Sequence, residues 1–97
     1  MNGEELKRSK IVLLSAGDNV AVALVPIQKG DILENSGKNI EARDDIDFGH
    51  KIALRDIKKD DNVIKYGEII GVAKENIMAG SHVHVHNVKS LRADKHE

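Results

Sequence analysis

Short apolar segments separated by turn-forming residues are the feature that most restricts how this chain can fold. Residues 20–25 alternate in the period-two manner of a buried strand, and Pro26 ends the segment because proline cannot donate to a sheet ladder. Turn signals such as Gly30-Asp31 and residues 35–37 recur about every ten residues. The spacing predicts a small all-β barrel or sandwich with at most one short helical turn, near residues 74–77.

A repeated unit supports this interpretation. Each copy runs from a strand to an isoleucine, then through a polar turn to a new strand. Residues 23–32 carry the first copy, residues 53–63 a second with one residue inserted, and residues 72–83 a looser third. Gly30 and Gly80 are expected to supply the backbone freedom at the corner. The irregular spacing favours a compact, sharply folded sheet over a solenoid.

Composition restricts both the core and the function. Hydrophobic residues make up 40% of the chain, and only Phe48 and Tyr66 are aromatic, so the core must be aliphatic. A net charge of -1 from 15 basic and 16 acidic residues argues against a nucleic-acid platform. Because cysteine is absent, any metal is held by His, carboxylate or backbone oxygen.

Membrane and export signals are also missing from the sequence. No apolar run approaches the roughly 20 residues needed to cross a bilayer. The first ten residues are polar and charged, with no apolar segment of the signal-peptide type. We therefore expect a cytoplasmic protein without a membrane partner.

Three histidines alternate near the end of the chain. We expect His82, His84 and His86 to share one face of a strand over residues 82–86, with Val83 and Val85 pointing into the core. Neighbours on that face lie about 7 Å apart and the outer two about 13 Å. Two adjacent rings can bind one ion, whereas three require the strand to bend, so we favour a pair plus an outside ligand. Imidazole can also transfer protons or contact a substrate, so each ring has three possible functions. The alternative to all three is a solvated surface strand in which the histidines have no function.

Other polar residues are weaker candidates. His50 lies at a glycine turn before a strand, where an ordinary exposed histidine is an equal alternative. Lys51 or Lys65 can pair with a substrate carboxylate, although a solvated lysine is the commoner case. Tyr66 is expected to be half-buried with its hydroxyl satisfied. The acidic residues 44–47 predict a solvated loop, with a metal role as the minor alternative.

The size of the chain limits what it can do alone. A sheet domain of 97 residues can hardly hold both its own core and a pocket that buries a polar substrate. The sequence has no nucleophile elbow, phosphate-binding glycine loop or triad-like arrangement. If the chain serves catalysis, we expect another chain to close the site.

Four blocks in order resemble the N-terminal SAF domain of altronate and galactarate dehydratases. They are DNVAVAL at residues 18–24, GHKIAL at 49–54, VIKYG at 63–67 and HVHVHNV at 82–88. The resemblance covers roughly residues 10–90 and leaves polar tails at 1–9 and 91–97. It implies a β-clip fold and a cytoplasmic hydro-lyase that acts on hexonate or hexarate sugar acids with Fe²⁺ or Mn²⁺.

The chemistry implied by the resemblance is loss of water β to a carboxylate. It begins with removal of the α-proton by a His or Lys, and a divalent metal stabilises the developing charge. The resemblance places the blocks that carry the histidines and lysines near the substrate or the metal. We assign catalytic roles to His50, His84 and His86, metal ligation to His82 and His84, and substrate contacts to Lys51, Lys65, Tyr66 and Asn87.

The full-length family also has a large C-terminal region that is missing from this sequence. The resemblance therefore implies a small subunit or an N-terminal domain that needs a large catalytic dehydratase subunit to complete its site. Split relatives include enzymes that act on sulfolactate by eliminating sulfite, which is a second hypothesis. A non-catalytic carbohydrate- or metal-binding module is the third, and homo-oligomerisation stays open.

Overall fold

A computed structural model describes residues 9–91, and the predicted tails fall mostly outside this range. The described residues form nine strands and no helix, so they contain no helix that could cross a membrane. The prediction of a small all-β domain is confirmed. The strands are β1 (Ile11–Val12), β2 (Val20–Ala23), β3 (Ile32–Asn35), β4 (Lys38–Glu41), β5 (Lys51–Ala53), β6 (Asn62–Lys65), β7 (Glu68–Ala73), β8 (His82–Val83) and β9 (Val88–Ser90).

The strands are arranged in three antiparallel sheets. The central sheet has the order β1-β2-β5-β8, and a second sheet has the order β6-β7-β9. The β3–β4 hairpin forms the third sheet. Because β5 pairs with β8 rather than with its sequence neighbour, residues near 50 and residues near 83 meet across one ladder.

The central sheet is covered by an apolar cluster on each face. Val20 pairs with Ala53 and packs in one cluster, whereas Ala21 pairs with Ile52 and packs in the other. Since side chains alternate along a strand, the aliphatic run over residues 20–23 can supply both clusters. This explains how a chain with almost no aromatic residues fills its interior.

Four corners of the same conformation join the strands, one more than the repeat predicted. They span residues 24–30, 43–49, 54–60 and 74–80, and each carries one buried isoleucine. Ile27 and Ile46 exchange two backbone hydrogen bonds of 2.8 Å, and Ile57 and Ile77 exchange two of 2.7 Å. The corner residues in the left-handed region are Gly30, Gly49, Asp60 and Gly80.

The missed corner coincides with the acidic residues 44–47. Asp44, Asp45 and Asp47 are exposed, as expected for a solvated loop. Two of them also hold neighbouring backbone: Asp45 accepts from the Lys29 amide at 2.8 Å, and Asp44 accepts from the His82 amide at 3.0 Å. Their charge masked the isoleucine and glycine pattern that marks the other copies.

Candidate active site

The pairing of β5 with β8 brings together two blocks that are distant in sequence. Lys51 pairs with Val83 and Ile52 with His82. The next position in this register places His50 opposite His84, just beyond the end of each strand. Their ring centroids are 4.4 Å apart and nearly parallel. Sheet register therefore joins the glycine-turn histidine to the alternating histidines.

The strand that carries the alternating histidines is shorter than predicted. β8 ends at Val83, and the backbone amides of Asn87 and Val88 both donate to the His84 carbonyl at 3.1 Å, which turns the chain. Val83 is fully buried as expected. Val85 is 70% exposed, so the prediction that it points into the core is wrong. The turn rotates Val85 away from the alternation of a straight strand.

The Asn87 side chain closes this turn from inside. Its Oδ1 accepts from the His84 amide at 3.0 Å, and its Nδ2 donates to the His82 carbonyl at 2.8 Å. Asn87 is only 3% exposed. The predicted substrate contact of Asn87 stays a prediction, and its position favours a structural task, because both ends of the amide already have partners.

The turn draws the imidazole rings together. The ring centroids of His82 and His84 are 5.4 Å apart, and those of His82 and His86 are 5.3 Å apart. A straight strand would separate such pairs by about 7 and 13 Å, respectively. The bend that a site of several histidines requires is therefore present.

Three of these rings can share one ion. His50, His82 and His84 each offer a ring nitrogen, and the three nitrogens lie within 4.8 Å of one another. His50 Nδ1 and His82 Nε2 are 2.9 Å apart, within hydrogen-bond distance and shorter than the roughly 3.4 Å expected between two tetrahedral ligands with bonds near 2.1 Å. The predicted pair His82 and His84 thus gains a third nitrogen from His50 of the same chain.

The surroundings favour the neutral form of two of these rings. Burial lowers the pKa of His82, as do the neighbouring His86, His50 and His84, while Asp44 opposes the shift. Burial and then His50, Lys51 and His86 lower the pKa of His84. A neutral imidazole is the form that binds a metal ion, so both shifts favour ligation near neutral pH.

A cleft opens beside the histidines, between the central sheet and the β6-β7-β9 sheet. Its volume is about 400 Å³, and its lining includes four predicted site residues: Lys51, Lys65, Tyr66 and His84. Burial and then the charge of Lys65 lower the pKa of Lys51. Two ammonium groups at one cleft favour an anionic ligand, and the Glu68 carboxylate, which also lines the cleft, offsets part of their charge. A larger cleft of about 720 Å³ contains none of the predicted site residues.

Tyr66 lies on the rim of the 400 Å³ cleft and not half-buried as expected. It is 65% exposed. Tyr66 and Gly67 form the two-residue turn of the β6–β7 hairpin, with φ values of 59° and 71°. Positive φ at both positions defines a type I′ turn, which directs the ring outward.

Two residues to which the sequence analysis gave no role lie beneath this turn. Asp18 and Asn19 are polar, yet they are only 1% and 6% exposed. Their side chains hydrogen-bond to the backbone of residues 62–67. Both residues belong to the first block of the resemblance, at residues 18–24. Membership of that block is the sequence signal that could have identified them.

A small antiparallel β domain with clustered histidines beside a basic cleft belongs to the class of SAF-type domains. A family model described as the altronate/galactarate dehydratase SAF domain matches residues 9–91, and the chain belongs to this family. The resemblance stated from the sequence is confirmed.

Relatives with known names fall into two groups. The chain is 52% identical over 77 residues to altronate dehydratase of Bacillus subtilis (strain 168) and 45% identical over 83 residues to altronate dehydratase of Escherichia coli (strain K12). These matches cover 79% and 86% of this chain but only 16% and 17% of those relatives, so the chain spans about a sixth of their length. It is 40% identical over 88 residues to (2R)-sulfolactate sulfo-lyase subunit alpha of Chromohalobacter salexigens, covering 84% of this chain and 94% of that subunit.

Proposed function

We propose that this chain supplies the metal-binding and carboxylate-binding side of a hydro-lyase active site for a sugar acid of the altronate or galactarate type. A larger dehydratase subunit completes the site. The observation that carries the proposal is a single sheet end where the group of three histidines meets, through His84, a cleft that carries two lysines. Names of relatives support the reaction class, and the geometry supports the role of these residues.

The proposed metal ligands are His50, His82 and His84. Their donor set is three imidazole nitrogens, which suits a divalent transition metal better than Mg²⁺ or Ca²⁺. Fe²⁺ or Mn²⁺ bound there would act as a Lewis acid and stabilise negative charge on a substrate oxygen. Three ligands from one side of the site leave positions for the substrate and for the partner subunit.

The lysines at the cleft are the proposed carboxylate contacts. Lys51 and Lys65 repel each other, which is one cause of the lowered pKa of Lys51. A carboxylate bound between them relieves that repulsion. Binding of a sugar acid should therefore raise the pKa of Lys51, which can be followed by NMR titration of the side chain.

Proton transfer is assigned to His86. Its ring lies 5.3 Å from that of His82, but it is not part of the group of three nitrogens. His86 is exposed, so it can exchange protons with solvent or substrate. His50 and His84 then act as ligands in this proposal, not as acid or base, because a nitrogen bound to a metal cannot also carry a proton.

The shape of the cleft supports the need for a partner. Tyr66 and Val85 line it and are 65% and 70% exposed, so its rim is open and presents apolar surface beside the exposed Glu68. The chain also spans only 16% and 17% of the altronate dehydratases that it matches. A larger subunit that covers the rim would exclude water from the reacting substrate.

A small subunit of a sulfolactate sulfo-lyase is the second candidate. The observation that favours it is the match across 94% of the subunit alpha from Chromohalobacter salexigens, a protein of similar length. The same histidines and lysines would bind a substrate that carries a carboxylate, and only the leaving group would differ.

Reconstitution separates these functions. The chain is to be co-purified with its large partner from native extract, and the complex assayed with altronate, galactarate and (2R)-sulfolactate. We expect activity on one sugar acid and only in the complex. Sulfite release from sulfolactate would favour the second candidate. A chain that recovers no partner but binds metal tightly would instead be a binding module.

Metal binding is tested on the chain alone. Titration with Mn²⁺, followed by electron paramagnetic resonance, should show one site. His82→Gln should remove that site, whereas His86→Gln should keep it, because His86 lies outside the group of three nitrogens. Equal binding by both variants would reject the ligand assignment.

A further inference from the structure

We propose that Asp18 and Asn19 are positioning residues that hold the Lys65–Tyr66 end of the β6–β7 hairpin at the cleft. By doing so they set where the Lys65 ammonium meets an anionic ligand. The role of that ammonium rests on the proposed function, whereas the hydrogen bonds that hold the hairpin do not.

Asp18 binds the turn itself. Its carboxylate accepts from the Tyr66 amide at 2.9 Å and from the Gly67 amide at 2.8 Å. These amides belong to a type I′ turn, whose two central N–H groups have no partner within the hairpin. Bonds from two amides to one buried carboxylate are stronger than bonds between neutral groups and fix the turn in two directions.

Asn19 binds the strand that leads into the turn. Its Oδ1 accepts from the Ile64 amide at 2.8 Å, and its Nδ2 donates to the Asn62 carbonyl at 2.9 Å. The register of β6 against β7 shifts between Val63 and Ile64. The asparagine side chain therefore pairs with strand backbone at the point where the hairpin ladder is irregular.

The corner that follows β5 anchors both residues. The Leu54 amide donates to the Asn19 carbonyl at 2.9 Å, and Arg55 Nη1 lies 3.3 Å from the Asp18 carbonyl. The Asn19 amide also donates to the Ile64 carbonyl at 3.2 Å. The segment thus links β5, which starts at Lys51, to the hairpin that carries Lys65.

The other type I′ hairpin of the chain is an internal comparison. In the β3–β4 hairpin, Ser36 and Gly37 have φ values of 53° and 83°, and Asn35 pairs with Lys38. Within residues 9–91, no carboxylate accepts from the Ser36 or Gly37 amide. The same turn therefore forms without such a bond, so Asp18 is not needed to make the turn and serves to place it.

The first test measures amide exchange by NMR on the full chain. The Tyr66 and Gly67 amides should exchange at least about tenfold more slowly than those of Ser36 and Gly37, because only opened states exchange. Asp18→Asn should remove the protection. Asp45→Asn is the matched control: it alters a carboxylate that accepts from the Lys29 amide, away from the cleft. Equal exchange in the two wild-type turns would overturn the proposal.

The second test asks whether the placement acts through Lys65. We expect Asp18→Asn to raise the dissociation constant for galactarate about fivefold, the loss of one partly exposed ion pair, while Asp45→Asn leaves it unchanged. In a Lys65→Met background, Asp18→Asn should cause no further loss, since the two changes remove the same contact. Additive losses would mean a general structural defect and would overturn the positioning role.

Absence of substrate binding and misfolding of Asp18→Asn have different consequences for the proposal. If the wild-type chain protects the Tyr66 and Gly67 amides but its complex with the large subunit binds neither altronate nor galactarate, the proposed function fails while the held hairpin stands. If Asp18→Asn does not fold, Gly67→Ala perturbs the same turn, because alanine is strained at φ +71° even though its Cβ would meet Ser15 Oγ only at an ordinary contact distance of 3.4 Å. The same non-additivity with Lys65→Met is then expected, and its absence rejects the inference.

Discussion

Replacing Asn87 with alanine separates the shape of the histidine turn from the chemistry of the rings. The change leaves the His84 amide and the His82 carbonyl without their partner. Each group that is left unsatisfied when buried costs about 1–3 kcal/mol, so the expected loss in free energy of unfolding is about 2–6 kcal/mol. For a domain of this size, that corresponds to a decrease in Tm of at least about 8 °C.

Thermal and urea unfolding followed by circular dichroism measure this loss. Asn39→Ala is the matched control: Asn39 is exposed on β4, so the free energy of unfolding should change by less than about 0.5 kcal/mol. Asn87→Asp should fall between the two, because it keeps an acceptor for the His84 amide but places an oxygen against the His82 carbonyl. If Asn87→Ala is as stable as Asn39→Ala, the buried amide does not hold the turn.

Asn87→Ala also carries a functional readout. The rings of His82 and His84 depend on the turn for their 5.4 Å separation. Mn²⁺ affinity should therefore fall in Asn87→Ala, although no proposed ligand has changed. Unchanged affinity together with reduced stability would mean that the rings keep their arrangement without the amide.

Two further predictions follow from burial and from backbone geometry. Burial lowers the pKa of His82 and His84 in the folded chain, so below about pH 6.5 the unfolded chain binds more protons. The free energy of unfolding should be retained above that pH and decrease as the pH falls. Thermal melts with a chelator present measure this dependence, and a flat profile would contradict the lowered pKa of the two histidines. A Cβ at Gly80 would overlap the Glu41 carbonyl, whereas one at Gly30 meets open space, and both glycines have positive φ. Gly80→Ala should therefore lower the free energy of unfolding in urea by more than about 3 kcal/mol, and Gly30→Ala should lower it by about 1 kcal/mol. Equal losses would mean that backbone strain alone, and not the overlap with the Glu41 carbonyl, accounts for both.

Local patterns determined much of this structure. Alternation over residues 20–25 and closely spaced turn signals predicted an all-β domain, because strand period and turn chemistry depend on neighbouring residues. The same reasoning located Gly30 and Gly80 at corners, and both have positive φ. It missed the corner at residues 43–49, where charged neighbours obscured the pattern.

The site was only partly visible in the sequence. The alternation of His82, His84 and His86 predicted clustered imidazoles, but a straight strand would have kept them about 7 Å apart. Asn87 bends the chain through hydrogen bonds that depend on its burial, which sequence spacing does not report. The exposed positions of Val85 and Tyr66 follow from turns, whose orientation strand alternation cannot describe.

The order of residues along the chain was enough to predict the all-β class, three of the four corners, the residue types of the site and the family. It did not report that His50 meets His82, 32 residues away, or that Lys51 and Lys65 share a cleft. Those meetings depend on sheet register and on the burial of Asp18, Asn19 and Asn87, which arise from packing between distant segments. These long-range contacts place the side chains on which the proposed chemistry depends.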